Sequence, residues 1–262
     1  MTRIASIFLA CLIPAAVAMA QTGNSSRQTS SAESSTSLKS LVPNILRDQK
    51  PIWTFPWKLA QGRHWKPVFG VALATTALVV ADPYTEPYFR NNRGFSTYKT
   101  GPLRGRNSTL AITLTPVAFY VTGLAKRSRH SQGVALLTAE SIADTQILSL
   151  VMKHAVGRLE PSQIPVNGNF RDTWFKYKGS FTNGGSFPSG HAASAFAVAT
   201  VVADQYREHR WVPWLAYGAA TVVALTRLPD QAHFTSDIFF GGVLGYSISH
   251  FVVLRRAESH GQ

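Results

Sequence analysis

Three clusters in the second half of the chain combine cations, imidazoles and small turn-forming residues. The first is Lys153-His154-Ala155-Val156-Gly157-Arg158-Leu159-Glu160-Pro161. The second is Phe187-Pro188-Ser189-Gly190-His191, and the third runs from Thr226-Arg227 to His233 and Asp237. Lys153, Arg158 and Arg227 are cations able to stabilise charge spread over a phosphoryl group. Pro188-Ser189-Gly190 places a tight, small-residue turn at a helix start, where unpaired N–H groups favour an anion. Ser189 caps that helix or donates to a phosphate oxygen. His233 and Asp237 stand four apart, on one helix face, so the carboxylate can fix the imidazole tautomer and free the other nitrogen to attack. His191 is then available to protonate a leaving alkoxide. A zinc site built from His191, His233 and Asp237 is the chemical rival. The neighbouring arginines and the absence of HExxH-type spacing speak against it, so no metal or other cofactor is expected.

Six apolar segments must position these residues: 67–81, 109–125, 133–153, 190–204, 211–226 and 236–253. Each is bounded by Gly, Pro or charge, each is too long for a typical strand, and none alternates with period two. The expected fold class is all-α, a helical bundle of about six helices. In an antiparallel bundle with short connections, the end of one helix and the start of the next share a face. The three clusters then meet at one end, which becomes the active-site end. Glu140 and Asp144 lie inside the third segment, so that segment must turn one face toward protein.

The 262 residues carry 26 Lys+Arg against 13 Asp+Glu, a net charge of +13, with 45% apolar and only 15% charged residues. That apolar fraction excludes extended disorder. The single cysteine, Cys11, excludes a disulfide scaffold. Low charge with a mean hydropathy of zero points to a membrane-embedded bundle, and the basic excess to anionic partners. Residues 1–20 read as a signal peptide, with Arg3, an apolar stretch and the small-x-small site Ala18-Met19-Ala20. Residues 21–50 read as a disordered polar tether. Residues 51–108 read as an interfacial segment, with Trp53, Trp57 and Trp65 beside Lys58 and Arg63, plus the first helix. Residues 109–256 form the bundle core and 257–262 a tail. The leader and the apolar helices argue against nucleic acid as a partner.

Together the clusters resemble the signatures of the type 2 phosphatidic acid phosphatase and vanadium haloperoxidase superfamily: K-x6-R-P, P-S-G-H and S-R-x5-H-x3-D. Pro188-Ser189-Gly190-His191 matches the second fully, and Arg227, His233 and Asp237 match the third with Thr226 in place of its serine. The first departs. Lys153 and Pro161 are in place, but Glu160 stands where the arginine belongs. Arg158 is the nearest cation, and a five-residue step from Lys153 lands roughly 140° round a helix.

The resemblance implies a metal-independent phosphatase acting on a lipid-linked phosphate monoester or pyrophosphate. His233 would be the nucleophile that forms a phosphohistidine, Asp237 its orienting partner, and His191 the general acid and then base. Lys153, Arg227, Ser189 and Gly190 would hold the phosphate, with Arg158 a provisional member by proximity. The partners implied are an anionic phosphorylated lipid and the membrane. The alternatives are a soluble periplasmic acid phosphatase of broad specificity, a vanadate-dependent haloperoxidase, or a site impaired by Glu160 and kept for binding.

Lys126, Arg127 and Arg129, Arg207 and Arg210, and Arg255 and Arg256 all fall at the end opposite the clusters. Short-loop cations prefer the cytoplasm. The site is therefore expected on the periplasmic face of a bacterial inner membrane. A chain that starts outside must cross an even number of times before the third segment ends, so segment 67–81 is expected not to span. The connection 154–187 is long and aromatic, as a lid would be.

Overall fold

The computed structural model describes residues 37–92, 105–177 and 185–260. The leader 1–20, the first part of the expected tether, residues 93–104 of the segment before the bundle core, and residues 178–184 of the long connection lie outside the described residues. Among the described residues every regular element is helical. They are α1 (Leu38–Trp53), α2 (Phe55–Ala60), α3 (Trp65–Asn91), α4 (Gly105–Ala125), α5 (Arg129–Val156), α6 (Gly190–Gln205), α7 (Trp211–Leu225), α8 (Thr235–Ile248) and α9 (Arg255–His260). A π-helical turn, Ser249–Leu254, joins α8 to α9, and a 3-10 turn, Pro161–Gln163, follows α5.

The centre of the bundle is α6. Its Ala192, Ala193, Ala195, Ala197 and Ala199 are buried together with Val198, Val201 and Val202, because α5, α7 and α8 all pack against it. Small side chains let those neighbours come close. A Cβ on Gly245 of α8 would stand 2.0 Å from the Ala193 carbonyl oxygen, and one on Gly241 2.5 Å from that of Ser189. The two glycines, four apart, give α8 a flat face that presses on the first turns of α6. This contact sets the spacing between His191 on α6 and the start of α8.

Four helices are long and apolar enough to cross a membrane: Trp65–Asn91, Gly105–Ala125, Arg129–Gln163 and Thr235–Ser259. The first corrects the expected short segment. At 27 residues, α3 is roughly 40 Å long at 1.5 Å per residue, enough to cross the hydrocarbon core of ~30 Å. It runs past Ala81 because Asp82 and Glu86, which look like a helix end in sequence, are buried against protein at 0% and 1% exposure. Its apolar residues instead face outward, with Phe69, Leu73 and Val80 all more than half exposed. An exposed apolar face of this extent suits lipid.

Part of the stretch expected as a tether is helical instead, because α1 begins at Leu38. Asn44, Asp48 and Ile52 recur every four residues and form its buried stripe. Asn44 donates to Glu140 Oε1 at 2.8 Å, Gln49 donates to Asp144 Oδ1 at 2.7 Å, and Arg256 pairs with Asp48 and Glu140. These are the protein partners that two carboxylates within α5 require. At the other terminus the expected tail is helical through His260, with Ala257 buried.

Candidate active site

The ends of α5 and α7 and the starts of α6 and α8 bring the three clusters together. The His191 and His233 ring centroids are 6.5 Å apart. Ser189 caps α6 by accepting from the Ala192 amide, and its own amide donates to the Asp237 carbonyl at 3.0 Å. The Gly190 carbonyl accepts from Gln146 Nε2 at 2.9 Å. Lys153 Nζ donates to the Gly185 carbonyl at 2.6 Å, which ties the end of α5 to the loop before α6. Arg227 pairs with Asp230, three residues on.

Each imidazole has a hydrogen-bonding pattern that fixes its tautomer. His233 Nδ1 lies 2.8 Å from the Ser186 carbonyl. A carbonyl only accepts, so Nδ1 carries the proton and Nε2 keeps its lone pair. Asp237 does not hold that proton directly, because its Oδ2 is 3.9 Å from Nδ1 and accepts from the Phe234 amide at 2.8 Å. His191 Nε2 lies 2.7 Å from Thr109 Oγ1 and 3.2 Å from the Gly105 carbonyl. The Thr109 hydroxyl itself donates to that carbonyl at 2.9 Å, so the proton of His191 sits on Nε2. One ring thus offers a lone pair and the other an N–H.

Electrostatics keep both rings neutral. Burial, then chiefly the charge of Lys153, holds His233 well below the ordinary histidine value. Burial, then the Arg227 charge, lowers His191 to about 4. Two buried donors near the rings lack a hydrogen-bond partner among the described residues, Arg227 Nε and Ser186 Oγ. Buried donors without partners are rare and call for an acceptor. An oxyanion beside the imidazoles would supply one.

Arg158 is placed differently from the sequence expectation. It is buried, and its Nη1 donates to Asp237 Oδ1 at 2.6 Å and to Ser236 Oγ at 2.7 Å. Nη2 donates to Asp82 Oδ2 at 2.8 Å and Nε to Thr173 Oγ1 at 3.3 Å. Its guanidinium also lies 3.9 Å from the Phe234 ring centroid and 4.4 Å from that of Trp174. All four donations go to protein groups, and the cation sits behind Asp237 as the bridge between α3 and α8. Glu160 turns aside too, accepting from Ser162 Oγ at 3.3 Å while its amide donates to Gln163 Oε1 at 2.9 Å. Ser186, Thr109, Gly105 and Asp82 escape sequence reasoning. Two of them act through backbone carbonyls, and all four lie outside the three motifs. Among the described residues no group of three or more His, Cys, Asp or Glu is gathered as a metal site.

Residues 134–260 match the family model of the PAP2 superfamily. That region, just under half of the chain, is similar to the PAP2 superfamily. The matched region contains Lys153, Ser189, His191, Arg227, His233 and Asp237, while Asp82, Gly105 and Thr109 lie upstream of it. The chain is 34% identical over 108 residues to a lipid A 1-phosphatase of Porphyromonas gingivalis, a match covering 38% of this chain and 20% of that protein. It therefore spans about a fifth of that relative's length. A crystal structure of a transmembrane PAP2-type phosphatidylglycerolphosphate phosphatase from Bacillus subtilis aligns with 80% of this chain and 96% of its own. The TM-score is 0.42 and the identity 19%.

Proposed function

We propose that the protein is a metal-independent phosphatase of a lipid-linked phosphate monoester or pyrophosphate, working through a phosphohistidine. The observation that carries this reading is the complementary pair of imidazoles 6.5 Å apart, one with a free Nε2 lone pair and the other with an Nε2 proton. His233 Nε2 attacks phosphorus and the bond to the leaving oxygen breaks. The His191 imidazolium gives that oxygen its proton. Water then attacks the phosphohistidine, His191 takes the water's proton, and the electron pair of the P–N bond returns to His233. Substrate charge helps the first step, because a phosphate dianion offsets the cations that add to burial in holding His191 low in the free protein.

Lys153, Arg227, Ser189 and the Gly190 backbone hold the phosphate. Arg158, tied to Asp82 and Asp237, positions Asp237 instead of binding substrate. The activity named for the Porphyromonas gingivalis relative supports a lipid phosphate as substrate class. The four long apolar helices support a place in the membrane. Basic connections opposite the site support an inner-membrane protein whose site faces the periplasm; with α3, α4 and α5 all crossing, this orientation has α3 start on the cytoplasmic side. The test is phosphate release from lipid and soluble phosphates by washed membranes, in the presence of EDTA. Release that vanishes in His233→Ala is the expected result. Release untouched by that change refutes the reading, and activity found only in soluble extract favours a soluble acid phosphatase.

A further inference from the structure

Near the middle of the 28-residue α5, far from the imidazoles, the bundle buries three carboxyls against one guanidinium. Asp48 of α1 and Glu140 and Asp144 of α5 are all at 1% exposure or less. Arg256 of α9 pairs with Asp48 and Glu140. No step of the reaction uses these groups. Ionisable side chains inside a membrane-spanning helix are costly and mark functional sites. Here the charges do not balance, because one cation faces three acids.

The hydrogen bonds identify the acid left over. Glu140 accepts from Asn44 Nδ2 at 2.8 Å and from Arg256, which suits an ionised carboxylate. Asp48 Oδ1 accepts from Arg256 Nε at 2.8 Å. Asp144 Oδ1 accepts from Gln49 Nε2 at 2.7 Å, while its Oδ2 meets no donor among the described residues. The Asp144 carboxyl nevertheless makes a side-chain hydrogen bond with that of Asp48. Ionised carboxylates only accept, so this bond requires a proton between the two. Ser141, one turn before Asp144 on the same face, and Thr145 beside it are fully buried with hydroxyls that meet no partner among the described residues. Thr138 on the same helix shows the usual outlet, donating to the Val134 carbonyl at 2.7 Å. Hydroxyls turned away from the backbone beside a carboxyl call for a bound water there.

No further cation offsets the pair. Lys39, Arg47 and Lys50 of α1 are exposed. The π-helical turn packed on α1 and α5 has no Asp, Glu, Lys or Arg, and its His250 stacks on Tyr246. The other helices packed on α5, which are α4, α6 and α8, carry charge or imidazole only near their ends, at Arg106, His191, Asp204 and Asp237. The same holds for Arg129, His130, Lys153 and His154 of α5 itself.

We propose that Asp48 and Asp144 form an intramembrane proton-binding site, and that the shared proton clamps α1 to α5. The site is independent of the phosphatase reading. The full chain in detergent is measured by infrared difference spectroscopy at pH 7, with and without sodium chloride. The expected signal is the C=O band of one protonated carboxyl, indifferent to sodium. It is lost in Asp144→Asn and in Asp48→Asn, where an amide donates in the proton's place, and kept in Glu140→Gln. Trypsin nicking after Arg47 and Lys50, both exposed, reads the clamp. Relative to a free peptide substrate, nicking of the wild type is expected to quicken at least fivefold from pH 7 to pH 9 and to stay level in Asp144→Asn. A band that neither aspartate variant removes overturns the proton site. So does a band seen only without sodium, which marks a metal cation in the proton's place. Nicking of the wild type that ignores pH overturns the clamp.

Discussion

The Nδ1 proton of His233 goes to the backbone carbonyl of Ser186 at 2.8 Å, while the Asp237 carboxylate stands 3.9 Å away. A main-chain atom, held by the Ser186 amide donating to the Arg158 carbonyl at 2.7 Å, therefore sets the tautomer. In triads where a carboxylate alone does this, converting it to the amide costs about 10⁴-fold in kcat. Here Asp237→Asn is expected to cost less than about 10²-fold, because the Ser186 carbonyl stays in place. Steady-state kinetics on a lipid phosphate decide it, and a loss near 10⁴-fold would show that Asp237 carries the tautomer after all.

Arg158 bridges two carboxylates that are themselves at 0% exposure. Arg158→Met leaves both uncompensated, and breaking a buried pair in this way typically costs about 3–5 kcal/mol. Arg158→Lys is not expected to rescue it, since a single ammonium cannot reproduce the forked geometry. Denaturant unfolding in detergent measures the loss. A cost under about 1 kcal/mol, the level of a surface ion pair, would contradict the bridge.

A Cβ on Gly105 would lie 2.0 Å from Arg227 Nη1. That atom is the end of a flexible side chain, so Gly105→Ala displaces the guanidinium without breaking the bundle. The expected result is a vanadate inhibition constant raised about tenfold, equivalent to about 1.4 kcal/mol, with Tm nearly unchanged. Unaltered inhibition would show that Arg227 does not meet the oxyanion.

Both imidazoles titrate below the ordinary histidine value, His191 at about 4. As pH falls below about 6.5 the unfolded chain takes up protons that the folded rings refuse. Stability is therefore full above that value and declines as pH drops toward 4. Tm measured at pH 7.5, 6 and 5 should fall stepwise, and His191→Gln should flatten the slope. A flat wild-type series would count against neutral buried rings.

The helices and their shared end were legible because Gly, Pro and charge punctuate long apolar runs, and because motif residues sat at matching helix ends. Ser186 was not legible, since its contribution is a carbonyl that any residue type provides. Asp82 was misleading: a charge after an apolar run reads as a boundary, yet here it is an interior group facing Arg158. Arg158 looked like a phosphate ligand by proximity in sequence. Its partner on α3 is 76 positions away, a pairing that no local pattern announces. Glu160 sits in the family's arginine position, but its engagement with Ser162 becomes visible only in three dimensions.

The bridge from Asp82 has a practical corollary for dissection of the molecule. A fragment cut to the matched region 134–260 would retain His191 and His233 and yet lose the counter-ion on α3 and the Thr109 hydroxyl on α4. The excised piece would carry a half-neutralised guanidinium in its interior. The smallest autonomous unit must therefore begin upstream of α3.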